Sequence, residues 1–146
     1  MQNPGFEDGL NHWQLELTDG AQATITHVPG GGPDGSAAAR VDIGVGSQAR
    51  SGISLVASRI GLSQGATYTI DVSVKASAAR EIRVRLTDGA GQITAARIFQ
   101  VTTTWTVVSF EANQLVADPA VQLGLDLGRS DATVWFDNIV IRESPG

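Results

Sequence analysis

The sequence contains no cysteine, which excludes disulfides, thiol nucleophiles and zinc–thiolate centres and leaves the redox compartment open. Basic residues are scarce: ten Lys and Arg stand against fifteen Asp and Glu, for a net charge of −5. Phosphate backbones are held by basic surfaces, so nucleic acid is not an expected partner. No apolar run reaches the ~18 residues of a membrane span, so no membrane partner is expected either. Met1 leads straight into the turn-rich "QNPGFEDG" without a signal peptide, as in an excised module with an added start. There are only two histidines, His12 and His27, and neither sits in an H-x-x-x-H or G-x-S-x-G context. Both read as ordinary surface residues. "GVGS" (44–47) lacks the Gly-Lys-Ser/Thr of a phosphate loop and reads as a turn. A glycosidase needs two carboxylates across a cleft, and a domain of this size rarely encloses one. No enzyme activity is expected.

What the chain does have is alternation. In "TYTIDVSVKA" (67–76), Tyr68, Ile70, Val72, Val74 and Ala76 share one face, and Thr69, Asp71, Ser73 and Lys75 share the other. "EIRVRLT" (81–87) and "VQLGLDL" (121–127) repeat the pattern. Further strands are expected near 13–17, 22–28, 37–43, 49–60, 94–101, 105–112 and 133–142. "DGAGQ" (88–92) reads as a hairpin loop, and "VPGGGPDGS" (28–36) is too rich in Gly and Pro for anything but a loop. Short strands separated by turns, 17 glycines and no convincing helix predict an all-β fold, a two-sheet antiparallel β-sandwich. The 146 residues read as one domain, 1–146, with "ESPG" as the start of a linker.

One strand carries an anomaly. "VWFDNIVI" (134–141) is apolar except for Asp137 and Asn138, which strand interiors rarely hold. A buried carboxylate needs a partner. Asp137 either caps a β-bulge or binds a metal.

In order along the chain, "NPGFEDGLNHW" (3–13), "QGATYTIDVSVKAS" (64–77), "TTTW" (102–105) and "VWFDNIVI" resemble the motif series of calcium-binding jelly-roll carbohydrate-binding modules of families four, nine, sixteen and twenty-two. The resemblance implies a structural Ca²⁺ where the first and last strands meet. Its ligands would be the Glu7 and Asp137 side chains and the Gly5 carbonyl, with the Asp34 carboxylate and the Ala37 carbonyl from the loop before "AAARVDI". Calcium takes six to eight oxygens, mixing carboxylates with backbone carbonyls of irregular segments, and the 28–36 loop can supply such carbonyls.

The resemblance also implies a glycan groove on the strands matching 49–57, 94–99 and 122–126. Sugar grooves combine aromatic platforms with planar hydrogen-bonding groups. The outward residues there read as Arg50, Ser54, Arg97, Phe99, Gln122 and Asp126, with Arg83 and Arg85 beside them. Placing Arg97 and Phe99 outward assumes that Ala96 and Ile98 pack inward, because the opposite register would bury an arginine. Trp13, Trp105, Tyr68 and Phe110 read as core or sheet-edge packing, and Phe6 as packed beside the calcium loop. Phe99 and Trp135 remain as platform candidates. Where family members that bind glucan or xylan often carry a tryptophan, this chain has Arg50. A groove rich in arginine and poor in aromatics suits a charged glycan, or a module that no longer binds sugar. The expected function is a non-catalytic module, extracellular and covalently linked to a polysaccharide-degrading catalytic domain, that binds a polysaccharide or oligosaccharide. The competing reading is a calcium-stabilised spacer without a sugar ligand.

Overall fold

The structure is a computed structural model. It describes residues 6, 9, 10, 12–18, 20–33, 35–46, 52–62, 67–88, 92–113, 118–128 and 130–143. Among these residues there are ten strands: β1 (Trp13–Leu17), β2 (Gln22–Val28), β3 (Ala38–Val45), β4 (Ile53–Leu62), β5 (Thr67–Ala76), β6 (Arg80–Thr87), β7 (Ile93–Val101), β8 (Thr106–Asn113), β9 (Asp118–Asp126) and β10 (Val134–Glu143). They form two five-stranded sheets, ordered β1-β4-β9-β6-β7 and β2-β3-β10-β5-β8, in which the paired strands are antiparallel. This is the expected jelly-roll sandwich. Among the described residues, no helix is long and apolar enough to cross a membrane.

The alternating apolar residues fill the space between the sheets. Ile53, Leu55, Ile82, Val84, Leu86, Leu123 and Leu125 face Ile70, Val72, Val74, Val134 and Phe136 across a buried core. Phe6 is wholly buried, with its ring centroid 5.2 Å from that of Trp13, so the segment before β1 is anchored in the core. The β6–β7 hairpin closes at Asp88 and Gln92, whose backbone N–H and carbonyl are 2.9 Å apart.

Arg80 begins β6 on the inward side, at one end of the sandwich. It donates to the carbonyls of Leu127 (2.8 Å), Ala132 (3.1 Å) and Ser130 (3.4 Å), pinning the segment between β9 and β10. Burial lowers its pKa to about 10, against the opposing pull of Glu81 and Asp131, and it stays charged at neutral pH.

One expected register is overturned. Along β7, Phe99 pairs with Ile82 and Arg97 with Val84, both inward residues, while Ile98 pairs with outward Arg83. Phe99 therefore packs on the core, 6.2 Å from the Phe110 ring, and Ala96 and Ile98 face outward. No arginine is buried by this register. β7 ends its sheet, so the inward row lies at the open rim, and exposed Arg97 reaches solvent across the Phe99 ring with Cζ 5.9 Å from its centroid.

Candidate functional site: a charged network across the first sheet

Strand register lays two rows of outward residues across the first sheet. One runs Glu16, Ser54, Asp126, Arg83, Ile98, and the other Gln14, Val56, Gly124, Arg85, Ala96. Gln122 lies one step along β9, paired with Thr87. Asp126 is the centre. Its carboxylate is fully buried, accepts a 2.6 Å hydrogen bond from Ser54 Oγ, and is bridged by Arg83 Nε at 2.7 Å and Arg85 Nε at 2.9 Å. Arg85 also donates from Nη1 to Thr87 Oγ1 at 2.7 Å. Its guanidinium lies flat on Gly124, where an added Cβ would come within 2.7 Å of Cζ. Glycine is the residue that permits this approach.

Of the residues expected in the groove, Ser54, Arg85, Gln122 and Asp126 come together on this face. Arg97 and Phe99 belong to the inward row, and Arg50 lies outside the described residues. Trp135 is on the outer face of the opposite sheet, between Arg40 and Lys75. All eight aromatic residues of the chain are described, and none projects from the outer face of the first sheet. Arg83 is as central here as Arg85. Both share the period-2 face that opposes Gly124 and Asp126 on β9, and that alternation is the sequence signal for the pair.

Asp137 occupies a bulge in β10. Its pairing with β5 shifts between Asp137 and Val140, and Asn138 adopts a left-handed φ of 46°. The carboxylate is wholly buried under the loop after β2. Ser36 Oγ donates to Oδ2 at 2.6 Å, and the Asn138 N–H donates to Oδ1 at 2.8 Å. The loop packs so tightly that a Cβ on Gly32 would overlap Asp137 Oδ2. Ala37 is buried at the approach to β3. Gly5, Glu7 and Asp34 lie outside the described residues. Among the described residues, no group of three or more His, Cys, Asp or Glu converges on a metal position. His27 is partly buried, and its Nε2 lies 2.8 Å from the Phe6 carbonyl, tying β2 to the segment before β1.

The paired charges and hydrogen-bonding groups of this face have the chemistry of a binding face. The family described as "Carbohydrate binding domain", CBM_4_9, matches residues 1–132. The chain belongs to this family of non-catalytic carbohydrate-binding domains. Solved structures agree on the fold. A CBM4 module is 23% identical with a TM-score of 0.84, the match covering 98% of this chain and 99% of that one. The N-terminal cellulose-binding domain of Cellulomonas fimi β-1,4-glucanase C is 21% identical with a TM-score of 0.69, over 97% and 94% of the two chains. The CBM22-1–GH10 modules of Clostridium thermocellum xylanase 10B, complexed with xylohexaose, are 17% identical with a TM-score of 0.72, over 97% of this chain and 28% of that one. No curated protein sequence matches the chain.

Proposed function

We propose that this carbohydrate-binding domain holds a glycan chain across the outer face of β4, β9 and β6, reading it through hydrogen bonds rather than ring stacking. The observation that carries this reading is Arg83. Its Nε is committed to Asp126, while Nη1 and Nη2 have no hydrogen-bond partner among the described residues and the side chain is 22% exposed. Asp126 fixes the fork in place, so little conformational freedom is lost when a sugar hydroxyl or carboxylate docks on it. Gln122 adds a further polar contact, and Ile98 and Ala96 provide a low apolar flank. A few hydrogen bonds of ~0.5–1.5 kcal/mol each correspond to micromolar to millimolar dissociation constants. In its parent protein the domain would be extracellular, linked to a polysaccharide-degrading catalytic domain whose local substrate concentration it raises.

Calcium completes the proposal. The groups around Asp137 fit a hard cation: a buried carboxylate, a hydroxyl and a glycine-rich loop of backbone carbonyls, all oxygen donors. Asp137 would hold the ion, with Ala37, Gly5, Glu7 and Asp34 as further ligands. The ion would tie the start of the chain to its last strand.

Affinity electrophoresis against neutral and acidic polysaccharides tests the groove. Retardation by at least one polymer that Arg83→Gln abolishes, while its melting curve shows the variant still folded at the assay temperature, supports it. If no polymer retards the parent domain, the spacer reading replaces it.

A further inference from the structure

The outer face of the second sheet carries a feature that the groove does not use. Lys75 is the only lysine in the chain. Its Nζ lies 4.9 Å from the ring centroid of Trp135 and 5.4 Å from that of Trp105, so one cation sits between two of the three tryptophans. Register explains the arrangement. Trp135 on β10 pairs with Lys75 on β5, and Trp105 immediately precedes β8, whose Thr106 pairs with Val74. On the other side Trp135 pairs with Arg40, and Arg40 with Thr26. All four side chains of the row Arg40, Trp135, Lys75, Trp105 are partly exposed.

Two of the cations of this face are compensated: Arg40 pairs with Asp42, and Arg142 with Asp71, while exposed Glu111 lies at the far end of β8, paired with Thr69. Lys75 has no carboxylate partner among the described residues. Two ring faces orient an ammonium but neutralise none of its charge. The indoles offer flat apolar surface with polar N–H edges, and Thr26 and Ser77 are exposed nearby. This combination is the chemistry that recognises a sugar ring bearing a carboxylate.

We propose that this row is a second binding surface, for an acidic sugar residue of the hexuronate class, with the carboxylate on Lys75 Nζ and the C–H face of the ring against Trp135 and Trp105. It stands apart from the groove, on the opposite face of the sandwich, and does not depend on it. A protein partner would be met by a mainly apolar patch, whereas among the described residues Val107 is the only large aliphatic side chain strongly exposed on this face.

A single lysine makes the site directly observable. Reductive methylation with ¹³C-formaldehyde keeps the charge and places one methyl resonance between the two rings, beside that of the N-terminal amine. Titration with a short galacturonic-acid oligomer should shift the Lys75 resonance, with the same midpoint in the parent and in Arg83→Gln. The corresponding galactose oligomer should bind about tenfold more weakly, because it lacks the charge-assisted contact. Added salt should weaken only the acidic oligomer. Trp135→Ala, and independently acetylation of Lys75 in the parent protein, should each cost about tenfold in galacturonate affinity. An unmoved Lys75 resonance, equal response to the neutral oligomer, or loss of the shift in Arg83→Gln would each overturn the proposal. So would a sugar-free, concentration-dependent shift with dimers in sedimentation, which would give the face to a second copy of the chain.

Discussion

The two outer faces of the sandwich handle buried and half-buried charge in opposite ways. On the first sheet, Asp126 neutralises one of its two arginines and fixes both, and the guanidinium of Arg85 is pressed onto Gly124. On the second sheet, Lys75 is held by the faces of Trp135 and Trp105, which leave its charge intact. The first arrangement is stiff, and it leaves only the outer nitrogens of Arg83 unengaged among the described residues. The second leaves a whole cation to a ligand. Removing the centre of each should therefore have very different consequences for folding. Asp126→Ala is expected to cost about 3 kcal/mol, at the lower end for breaking a buried ion pair because both arginines have some access to water. That is roughly a 10 °C fall in melting temperature for a domain of this size. The Asp126 carboxylate is thus part of the fold before it is part of any groove. A melting curve unchanged by the substitution would show that the network is loose and the contrast between the faces is wrong.

Asp137 shares the second sheet with Lys75 and is wholly covered by the loop after β2. A cation bound only by the native state at ~100 times its dissociation constant adds about 2.7 kcal/mol. Melting the domain with chelator and with added Ca²⁺ should separate the two curves by that amount, and Asp137→Ala should make them coincide. Coincident curves in the parent would leave Asp137 as a bulge residue whose carboxylate accepts from Ser36 Oγ and the Asn138 N–H. The calcium reading would then fail without touching either glycan proposal.

The strands were legible because nearly every one has an inward row of branched or aromatic residues, and the observed boundaries of β1, β2 and β5 match the alternation residue for residue. The facing of β7 was not. "ITAARIFQV" has apolar residues in both registers, so only the neighbouring strand and the position of β7 at the sheet edge decide between them. An arginine in the inward row looked prohibitive, but at an open rim its guanidinium clears the core and caps a ring instead. The Trp–Lys–Trp row was equally hidden, since Trp105, Lys75 and Trp135 are far apart in sequence and meet only through the β10–β5–β8 pairing. Phe99→Ala tests the facing. A partly buried ring packed on Phe110 should cost about 2 kcal/mol, below the range for a fully buried phenylalanine. A neutral result would return Phe99 to the groove.

The smallest expected effect sharpens the comparison most. Trp135 projects from β10 between two inward neighbours, Val134 and Phe136, that are both fully buried, so its ring lies outside the core. Trp135→Ala removes one of the two ring contacts to Lys75, and such contacts contribute ~0.5–1 kcal/mol at exposed sites. The melting temperature should fall by about 2 °C, several times less than for Asp126→Ala. Tryptophan fluorescence gives a second reading, because Trp13 is buried against Phe6 while Trp105 and Trp135 meet water. Deleting Trp135 should therefore reduce the red-shifted emission to the share of Trp105 and leave the buried component in place. If Trp135→Ala instead destabilises as strongly as Asp126→Ala, the Trp–Lys–Trp row is a structural brace. Lys75 would then be held for stability, and the second face would have no cation to offer a sugar.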